Sequence, residues 1–244
     1  MIPLGVLASA RVAPSSGIVA GAAAWWKADS LSLSDGDPVA TWADSTGNGF
    51  DATQATSGYR PTYKTAIRNG LPVVRFTGSD AAKHHLESGV SASSAAVTMH
   101  AVVYHSSISN SFGTVIASTS TGAWQIDLSN SGGLRLLRQY AANVGSSGAG
   151  TTPTGAWYIL TARYGSGAWK LRVNGTSYSG SGSHTPSASR TVVMGRNPGA
   201  GAPTAGLSND WFGGDIGEAI YYHSALSDTD VATNEAYLTT KWGF

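Results

Sequence analysis

The sequence predicts an all-β protein, built as a two-sheet antiparallel sandwich that ends in one short helix. Three observations favour this fold class. Short runs of valine, isoleucine, leucine and aromatic residues recur between glycine, proline, asparagine and serine, which is typical of strands joined by tight turns. The 31 glycines agree with many such turns. Only one stretch, near the C-terminus, has the apolar spacing of a helix.

The predicted strands follow one another along most of the chain. Several alternate polar with apolar residues, as half-buried antiparallel strands do. Between two of them, Asn174 and Gly175 supply the positive φ angles of a two-residue type I′ hairpin turn. The predicted strands are 72–77, 96–104, 114–118, 123–128, 134–139, 157–164, 168–173, 190–194 and 215–222.

The predicted helix covers residues 228–241. Ser227 is placed as its N-cap, and Asp230 follows three positions later, a spacing typical of helix starts. The apolar residues at roughly helical spacing are Val231, Leu238 and Trp242.

The composition favours a single folded domain, predicted to span residues 21–244, after an apolar arm at residues 1–20. With 41% apolar and 12% charged residues, the 244-residue chain can bury one large core. No internal repeat and no charge-rich linker divides it. Three glycine-rich stretches, at 145–150, 179–184 and 199–206, are predicted to be surface loops.

The charge pattern excludes several classes of partner. The formal charge is +1, and the lysines and arginines are scattered, so nucleic acid or an anionic membrane has no electrostatic footprint to bind. The lack of cysteine excludes a disulfide scaffold and thiolate chemistry. No apolar run reaches the roughly 20 residues that a membrane span needs. Partners are expected to be neutral or recognised by shape. The protein is also expected to form a homo-oligomer.

The N-terminal arm, MIPLGVLASARVAPSSG, has an apolar run without a preceding basic residue, because Arg11 comes after it. An export signal needs positive charge before its apolar core. The segment is therefore expected to be a docking or assembly arm, and the protein to remain in the producing cell until assembly or lysis. The docking residues expected are Ile2, Leu4, Val6 and Leu7.

Four segments occur in an order that points to a known family. They are WWKADSLSLSDGDPVATWADSTGNGFDATQ, RPTY followed by NGLPVVRFTGSD, WKLRVNG, and GDIGEAIYYHSALSDTDVATNEAYLTTKWG. Together they resemble the laminin-G-like branch of the concanavalin A-like lectin/glucanase superfamily, over roughly residues 24–244. The last segment resembles the closing strand and helix of that family.

The resemblance implies a jelly-roll of two curved sheets with one concave face, where carbohydrate-binding relatives hold their ligand. It does not fix the function, since the fold serves lectins, glycosidases and adhesion modules. A cysteine-free chain with an apolar start such as IPLGVLASA also resembles virion proteins of tailed phages, near the tail or the capsid surface. This likeness implies a place on the virion surface, reached by lysis rather than export.

No motif for glycoside hydrolysis is present, so the chain is expected not to be an enzyme. Retaining glycosidases need two carboxylates about 5 Å apart, and the laminarinase-type members of the superfamily carry them as Glu-x-Asp-x-x-Glu. The nearest approach here is Asp215 and Glu218, and a spacing of three on a regular strand puts side chains on opposite faces. The adjacent pair His84 and His85 makes a poor metal chelate for the same reason.

Sugar binding needs aromatic faces and a few amide or carboxylate groups. Trp157 and Trp169 lie inside predicted strands and are expected in the core. The candidates are instead in a loop rich in glycine and asparagine and at one further aromatic position. The ligand-binding residues expected are Trp211, Phe212, Asn209, Asp210 and Tyr140.

The stretch DSTGNG resembles the first half of a calcium loop, with oxygen-bearing residues at alternate positions. An EF-hand needs an acid at position twelve, which here is Ala55, and a helix on each side. Asp44 is therefore predicted to form a turn, with Gly47 and Gly49 at positive φ. No cofactor is expected, although calcium at the sandwich rim, on Asp127 and Asp210, is left open.

Three hypotheses remain for the function. The leading one is a non-enzymatic virion surface protein, a minor tail protein or capsid decoration, whose sandwich contacts host or environmental glycans. Its partners would be other virion proteins through the arm. The second is a purely structural decoration protein without a ligand. The third is a glycan-degrading enzyme.

Overall fold

A computed structural model shows the arrangement of most of the chain. It describes residues 17–79, 81–92, 94–108, 112–118, 124–138, 142–182, 191–196 and 211–244. Several residues for which the sequence predicts a role lie outside these ranges. They are Ile2, Leu4, Val6 and Leu7 of the arm, and Tyr140, Asn209 and Asp210 of the expected binding and metal sites.

The described residues form sixteen strands, two short 3-10 turns at Ala28–Ser30 and Ser57–Tyr59, and one α-helix, α1, at Asp228–Trp242. The strands are β1 Ala24–Lys27, β2 Thr41–Trp42, β3 Ala52–Thr53, β4 Thr62–Arg68, β5 Leu71–Phe76, β6 Leu86–Ser91, β7 Val97–Ile108, β8 Phe112–Ser118, β9 Trp124–Ser129, β10 Leu134–Arg138, β11 Ala142–Ser146, β12 Ala156–Gly165, β13 Ala168–Val173, β14 Thr176–Ser181, β15 Thr191–Met194 and β16 Phe212–Tyr222.

The strands form two antiparallel sheets. Sheet A has the order β14-β13-β12-β7-β16-β5-β4, with β1 alongside β16, and sheet B has the order β11-β10-β9-β8-β15-β6-β3-β2. Neighbours in these orders are often distant in sequence, as in a jelly-roll. The predicted fold class, an all-β two-sheet jelly-roll sandwich with one C-terminal helix, is confirmed.

Two apolar cores hold the molecule together. The larger one lies between the sheets and includes the fully buried rings of Trp26, Trp42 and Trp124. The smaller one lies between the outer face of sheet A and α1, where Leu238 and Trp242 are buried. Burying a large apolar side chain contributes about 1.5–3 kcal/mol, so these contacts dominate the stability of the sandwich.

Trp157 and Trp169, expected in the core, are both half-buried at its margins. The ring of Trp169 lies between Gly145 of β11 and Gly180 of β14, at the end of the sandwich where the edges of the two sheets meet. A Cβ at Gly180 would come within 2.6 Å of that ring. Glycine is required at these two positions because the ring packs against the backbone. From the sequence alone, such a glycine looks the same as one that is required for a turn.

Each of the nine predicted strands overlaps an observed one, and the Asn174-Gly175 hairpin is confirmed, with φ of 47° and 83°. The sequence did not predict β1 to β4, β6 and β11, and it indicated β14 only as the second arm of that hairpin. The loops predicted at 145–150 and 179–184 are wrong in part, because β11 ends at Ser146 and β14 at Ser181. The third predicted loop, 199–206, lies outside the described residues.

Helix α1 begins and ends as predicted. The side chain of Ser227 accepts a hydrogen bond from the backbone of Asp230 at 3.1 Å, and Gly243 ends the helix in the left-handed region at φ 68°. The three apolar residues at helical spacing, Val231, Leu238 and Trp242, are all buried. No helix among the described residues combines the length and the apolar character of a membrane span.

The DSTGNG loop is a closed turn around one carboxylate. Asp44 Oδ1 accepts the backbone N–H groups of Trp25 at 3.0 Å and Thr46 at 2.9 Å, and Oδ2 accepts the N–H of Phe50 at 3.2 Å and the hydroxyl of Thr46 at 2.7 Å. Gly47 and Gly49 have φ of 83° and 79°. The predicted turn is confirmed, and it fixes the entry of β1 into sheet A.

The hydrogen bonds also set the charge state of this carboxyl. Partial burial pushes the pKa of Asp44 up, but the hydrogen bonds from Thr46, Trp25 and Phe50 outweigh burial and leave the pKa below its usual value. Because the folded-state pKa is depressed, the stabilisation is present above the unfolded pKa of about 3.9 and is lost as the pH falls through the folded pKa.

A buried network of side-chain hydrogen bonds attaches α1 to sheet A. The amide of Asn234 donates to His100 Nε2 at 3.2 Å, so the ring proton lies on Nδ1, facing the hydroxyl of Thr161 at 2.9 Å. Thr161 in turn donates to Glu235 at 2.7 Å, and Arg172 completes the network with an ion pair to Glu235 at 2.9 Å. His100 is completely buried.

The same network of hydrogen bonds holds Val19, near the start of the described residues. Asn234 Oδ1 accepts the N–H of Val19 at 2.8 Å, and the Tyr222 hydroxyl donates to the carbonyl of Val19 at 2.9 Å. Ile18 and Val19 also pack against the core beneath α1. Ile18 and Val19, among the last residues of the predicted arm, therefore belong to the folded body.

Removing the Asp44 carboxylate should open the turn. We expect Asp44→Ala to lower the free energy of unfolding by about 1–3 kcal/mol, since three backbone N–H groups lose their acceptor. Urea denaturation measures this directly. A chelator should leave the melting temperature of the wild type unchanged, and a clear drop would show that the loop holds a metal.

The buried histidine should make stability fall in acid. Burial, with a smaller contribution from Arg172, lowers the pKa of His100 to about 3. The unfolded chain therefore takes up a proton first, and stability is lost from pH of about 6.5 down towards 3, by up to about 1.4 kcal/mol per pH unit. In His100→Gln the free energy of unfolding should fall less steeply with pH between about 6.5 and 3, because the variant lacks the proton that the unfolded wild type takes up at this side chain. An equal pH dependence in His100→Gln and the wild type would contradict this.

Candidate functional site

The outer faces of the two sheets differ in what covers them. On sheet A, α1 packs against the outer face. On sheet B, polar side chains alternate with core residues along the strands: in β9, Trp124, Ile126 and Leu128 face the core, so Gln125 and Asp127 face outward. This outer face of sheet B is the candidate functional site.

Its first part is a cross-strand row centred on Asp127, which is paired in register with Thr114 on β8 and Arg135 on β10. Asp127 Oδ1 accepts from the Thr114 hydroxyl at 2.8 Å and from the Gln125 amide at 2.6 Å. Arg135 approaches Oδ2 at 3.3 Å, and its guanidinium lies over the ring of Phe112. Asp127 is 1% exposed, so a charged group is held rigidly on this face.

The second part lies across β15 and β6. Arg196 pairs with Glu87 at 2.6 Å, and the Arg196 side chain is 8% exposed while that of Glu87 is 44% exposed. Beside them, the Gln54 amide lies 2.8 Å from His85 Nε2, and His85 Nδ1 lies 2.8 Å from the carbonyl of Lys83. A neutral ring satisfies both contacts, with Nδ1 donating and Nε2 accepting.

The charge state of His85 follows from its surroundings. Burial lowers its pKa, and the nearby Arg196 lowers it further, against a smaller opposite effect of Glu87. Although His85 Nε2 lies 3.7 Å from the Glu87 carboxylate, the contact is therefore not an ion pair at neutral pH. The Glu87 carboxylate is paired with Arg196 and is half-exposed to solvent.

Trp211 joins the two parts. It forms an isolated bridge with Thr114, and its ring centroid lies 6.2 Å from that of His85. Tyr59 lies 6.1 Å from His85 on the other side. Trp211 and Tyr59 are both half-buried, so each exposes part of a ring beside fixed carboxylates and guanidinium groups. Such a combination of ring faces and charge-assisted hydrogen-bonding groups can bind a polyhydroxylated ligand.

Comparison with protein families gives an identification. The profile Laminin_G_3, described as "Concanavalin A-like lectin/glucanases superfamily", matches residues 76–232. The chain belongs to this family. The resemblance found in the sequence is thereby confirmed at the level of the superfamily. A comparison with curated proteins gives no match.

Solved structures with the same fold include parts of glycoside hydrolases. A Trypanosoma rangeli sialidase in complex with sialic acid has a TM-score of 0.55 and 13% identity, over 91% of this chain and 33% of that one. Domain 4 of AbnA, a GH43 extracellular arabinanase from Geobacillus stearothermophilus, in complex with arabinotriose, has a TM-score of 0.60 and 19% identity, over 89% and 98%. A mutant of a GH54 α-L-arabinofuranosidase has a TM-score of 0.61 and 14% identity, over 91% and 60%. These likenesses show the fold.

The laminin-G-like chain spans about a third of the length of the sialidases that it matches. It spans nearly all of the arabinanase domain. The sandwich is therefore a unit that occurs both inside larger chains and as a separate domain in solved structures.

The structure corrects one of the expected ligand-binding residues of this superfamily member. Phe212 is 0% exposed, and its ring packs 6.2 Å from that of Phe76 in the core. Its neighbour Trp211 points the other way, because successive side chains of an extended segment alternate. Phe212 thus offers no surface to a ligand, and Trp211 is the half-buried ring of the pair.

Asp127, proposed from the sequence as a calcium ligand, is instead surrounded by hydrogen-bond donors. Thr114, Gln125 and Arg135 all direct donors at its carboxylate, and the positive guanidinium disfavours a cation there. Its expected partner Asp210 lies outside the described residues. Within the described ranges, no three acids or histidines are grouped to hold a metal.

The expectation that Asp215 and Glu218 lie on opposite faces is wrong. Asp215 is paired with Tyr104 and Glu218 with Val102, two residues of β7 that share a face. A β-bulge at Gly217 inserts one extra residue between them and so restores the same orientation. Sequence spacing does not reveal a bulge, since it depends on the partner strand.

The two acids are nevertheless separate and fully occupied. Asp215 is bound to Arg75, whereas Glu218 accepts from the indoles of Trp25 and Trp242 and pairs with Lys241 at 2.8 Å. The Trp242 ring covers Gly217 between them. Neither carboxylate is available as a general acid or nucleophile facing a substrate.

On the outer face of sheet B, the acids are also too far apart for glycoside hydrolysis. Asp127 lies on β9 and Glu87 on β6, with β8 and β15 between them. Three strand spacings amount to roughly 14 Å. Hydrolysis needs carboxylates about 5–9.5 Å apart. Among the described residues, this face does not bring two carboxylates to that separation.

Sequence reasoning missed most of the polar site. The residues that it did not identify are Gln54, His85, Glu87, Thr114, Gln125, Arg135 and Arg196. A usable signal was present in WQIDL, where two polar residues occupy alternate positions of a strand, because a polar face on a buried strand needs partners. The pairing of that strand with its neighbours, which brings the partners together, requires the structure.

Proposed function

We propose that this laminin-G-like sandwich is a non-enzymatic glycan-binding protein on the surface of a phage particle, as a tail or capsid decoration. The observation that carries the glycan part is the outer face of sheet B. There, half-buried Trp211 lies between two rigid ion pairs, Asp127–Arg135 and Glu87–Arg196.

These groups match the chemistry of a sugar. A sugar ring has an apolar C–H face that packs on an aromatic ring, and hydroxyls that both donate and accept. The half-exposed carboxylate of Glu87 can accept from hydroxyls, and charge-assisted bonds of this kind are about twice as strong as neutral ones. Buried Asp127 holds the Arg135 guanidinium in place. Since the ion pairs are already formed, little ordering is needed on binding.

Two of the solved structures support this choice by what their descriptions say. One is a domain in complex with arabinotriose, whose full length this chain matches, and another is a sialidase in complex with sialic acid. Both are proteins that act on or bind carbohydrate. The likeness concerns the fold, so it supports a glycan ligand without specifying the sugar.

The position of the arm supports attachment to a particle. Val19 is fixed by Asn234 and Tyr222 beside α1, on the outer side of sheet A. The polar site lies on the outer side of sheet B. An arm that docks residues 1–16 into a particle would therefore leave the binding face of sheet B directed away from the attachment point.

The glycan part predicts a measurable loss of binding in two variants. On a glycan array, the wild type should bind a subset of glycans, and Trp211→Ala and Glu87→Gln should each weaken the best of them at least about tenfold, or about 1.4 kcal/mol. Phe244→Ala, which removes another exposed ring from the opposite side, is the control and should bind normally. Release of reducing ends would instead support an enzyme.

An array without any bound glycan, from folded protein that still assembles, would refute the glycan part and favour the purely structural decoration protein. Circular dichroism and the melting temperature confirm that each variant is folded. Glu87→Gln keeps the side-chain volume and acts on a half-exposed group, so it remains informative if Trp211→Ala is unstable.

The particle part predicts an effect of the arm alone. Deletion of residues 1–15 keeps Val19 and its hydrogen bonds, so we expect an unchanged melting temperature together with loss of incorporation into particles. A milder variant replaces Ile2, Leu4, Val6 and Leu7 with serine. Incorporation is measured by co-purification with particles from infected cells, and undiminished incorporation would contradict the proposal.

A further inference from the structure

A second cross-strand row lies on the opposite side of the sandwich, at one end of the outer face of sheet A. Trp157 on β12 is paired with Tyr104 on β7, Tyr104 with Asp215 on β16, and Asp215 with Arg75 on β5. Directly paired residues share a face. Four side chains on four adjacent strands therefore form a line of two rings followed by two charged groups.

The two rings are held in place from behind. The centroids of Tyr104 and Trp157 are 5.5 Å apart, and Trp157 stacks on buried Trp242 at 6.4 Å with an interplanar angle of 21°. Arg68 lies over the Trp157 ring at 5.7 Å. Both Tyr104 and Trp157 stay half-buried, so each presents part of its ring to solvent in a fixed orientation.

The charged groups form a bidentate pair. Arg75 Nε donates to Asp215 Oδ1 at 2.6 Å, and a terminal guanidinium nitrogen donates to Oδ2 at 2.8 Å. The side chain of Asp215 is 2% exposed and that of Arg75 is 44% exposed. The guanidinium has five donors and uses two of them here, and each carboxylate oxygen has a second lone pair. Because Asp215 is buried, its carboxylate orients the guanidinium, and the remaining donors of half-exposed Arg75 can donate to hydroxyl groups of a ligand.

Next to the pair is a cleft of about 380 Å³, a size within the range of small-ligand pockets. Its floor has no side chains at three positions, Gly78, Gly213 and Gly214, where a Cβ would collide with neighbouring atoms. Ser106 and Ser107, both exposed, supply hydroxyl groups at its wall. Gly213 and Gly214 are buried, so this side of the cleft is closely packed backbone.

The composition of the cleft favours an uncharged ligand. Its one positive and one negative charge belong to the same ion pair, and the other lining groups are hydroxyls, aromatic rings and glycine backbone. A charged ligand would find no uncompensated charge of opposite sign. An uncharged sugar offers an apolar ring face to the aromatic side chains and hydroxyls to the guanidinium of Arg75.

We propose that this row is a second carbohydrate-binding site, specific for uncharged sugar units and formed by Trp157, Tyr104, Asp215 and Arg75. It lies on the other sheet from the polar site of sheet B, so it does not depend on the function proposed above. It is also distant from Val19, near the end of the predicted arm. Tyr222, which donates a hydrogen bond to Val19, is seven residues along β16 from Asp215, or roughly 23 Å.

The test uses the full chain carrying Trp211→Ala and Glu87→Gln, which removes the proposed site on sheet B. Arabinotriose, cellotriose and mannotriose, each at about 10 mM, are the uncharged probes, and trigalacturonic acid and sialyllactose are the charged ones. The indole N–H resonance of Trp157 in a proton–nitrogen correlation spectrum reports binding. We expect at least one uncharged probe to shift it and the charged probes to have at least tenfold weaker effects.

Two further variants test the residues. Tyr104→Ala and Arg75→Gln should each weaken the binding at least tenfold, whereas Lys170→Gln, which breaks another ion pair on sheet A, should not. Arg75 is half-exposed, so Arg75→Gln keeps the test valid if Tyr104→Ala fails to fold. No shift of Trp157 with any uncharged sugar, stronger shifts with the charged probes, or an equal loss in Lys170→Gln would each overturn the proposal.

Discussion

The contact between the Trp242 ring and the backbone at Gly217 determines much of the arrangement of sheet A. Only glycine leaves room for the ring, and the ring in turn attaches the end of α1 to β16, which is buried along its whole length. The bulge at Gly217 sets the faces of Asp215 and Glu218. Trp242 also supports Trp157 from behind. The helix, the buried ion pairs and the outer row of rings therefore depend on one close approach.

How much could be known from the sequence differs between elements. The helix was predictable because its signals are local: a capping serine, an acid three positions later and apolar spacing. The longer strands were predictable from their apolar runs, whereas β2 and β3, of two residues each, have too few residues to show a period. Asp44 was predictable as a turn residue because its partners lie mostly within the next six positions.

The binding faces were not predictable in the same way. Asp127, Thr114 and Arg135 lie close together only because β8, β9 and β10 are neighbours in a particular register. The sequence contains the alternation within each strand but not the alignment between strands. The bulge that brings Asp215 and Glu218 to one face has the same origin. Contacts between residues that are close in sequence could thus be predicted, whereas contacts between side chains on neighbouring strands required the structure.

The Trp169 ring between Gly145 and Gly180 has a consequence for colloidal behaviour. β11 and β14 are the terminal strands of their sheets, and such strands expose backbone groups that can recruit another chain. The shared ring draws these two edges towards each other, which hinders the addition of a foreign strand. If the protein is displayed on a particle as proposed above, its neighbours are identical chains with identical edges, and this protection limits pairing between them.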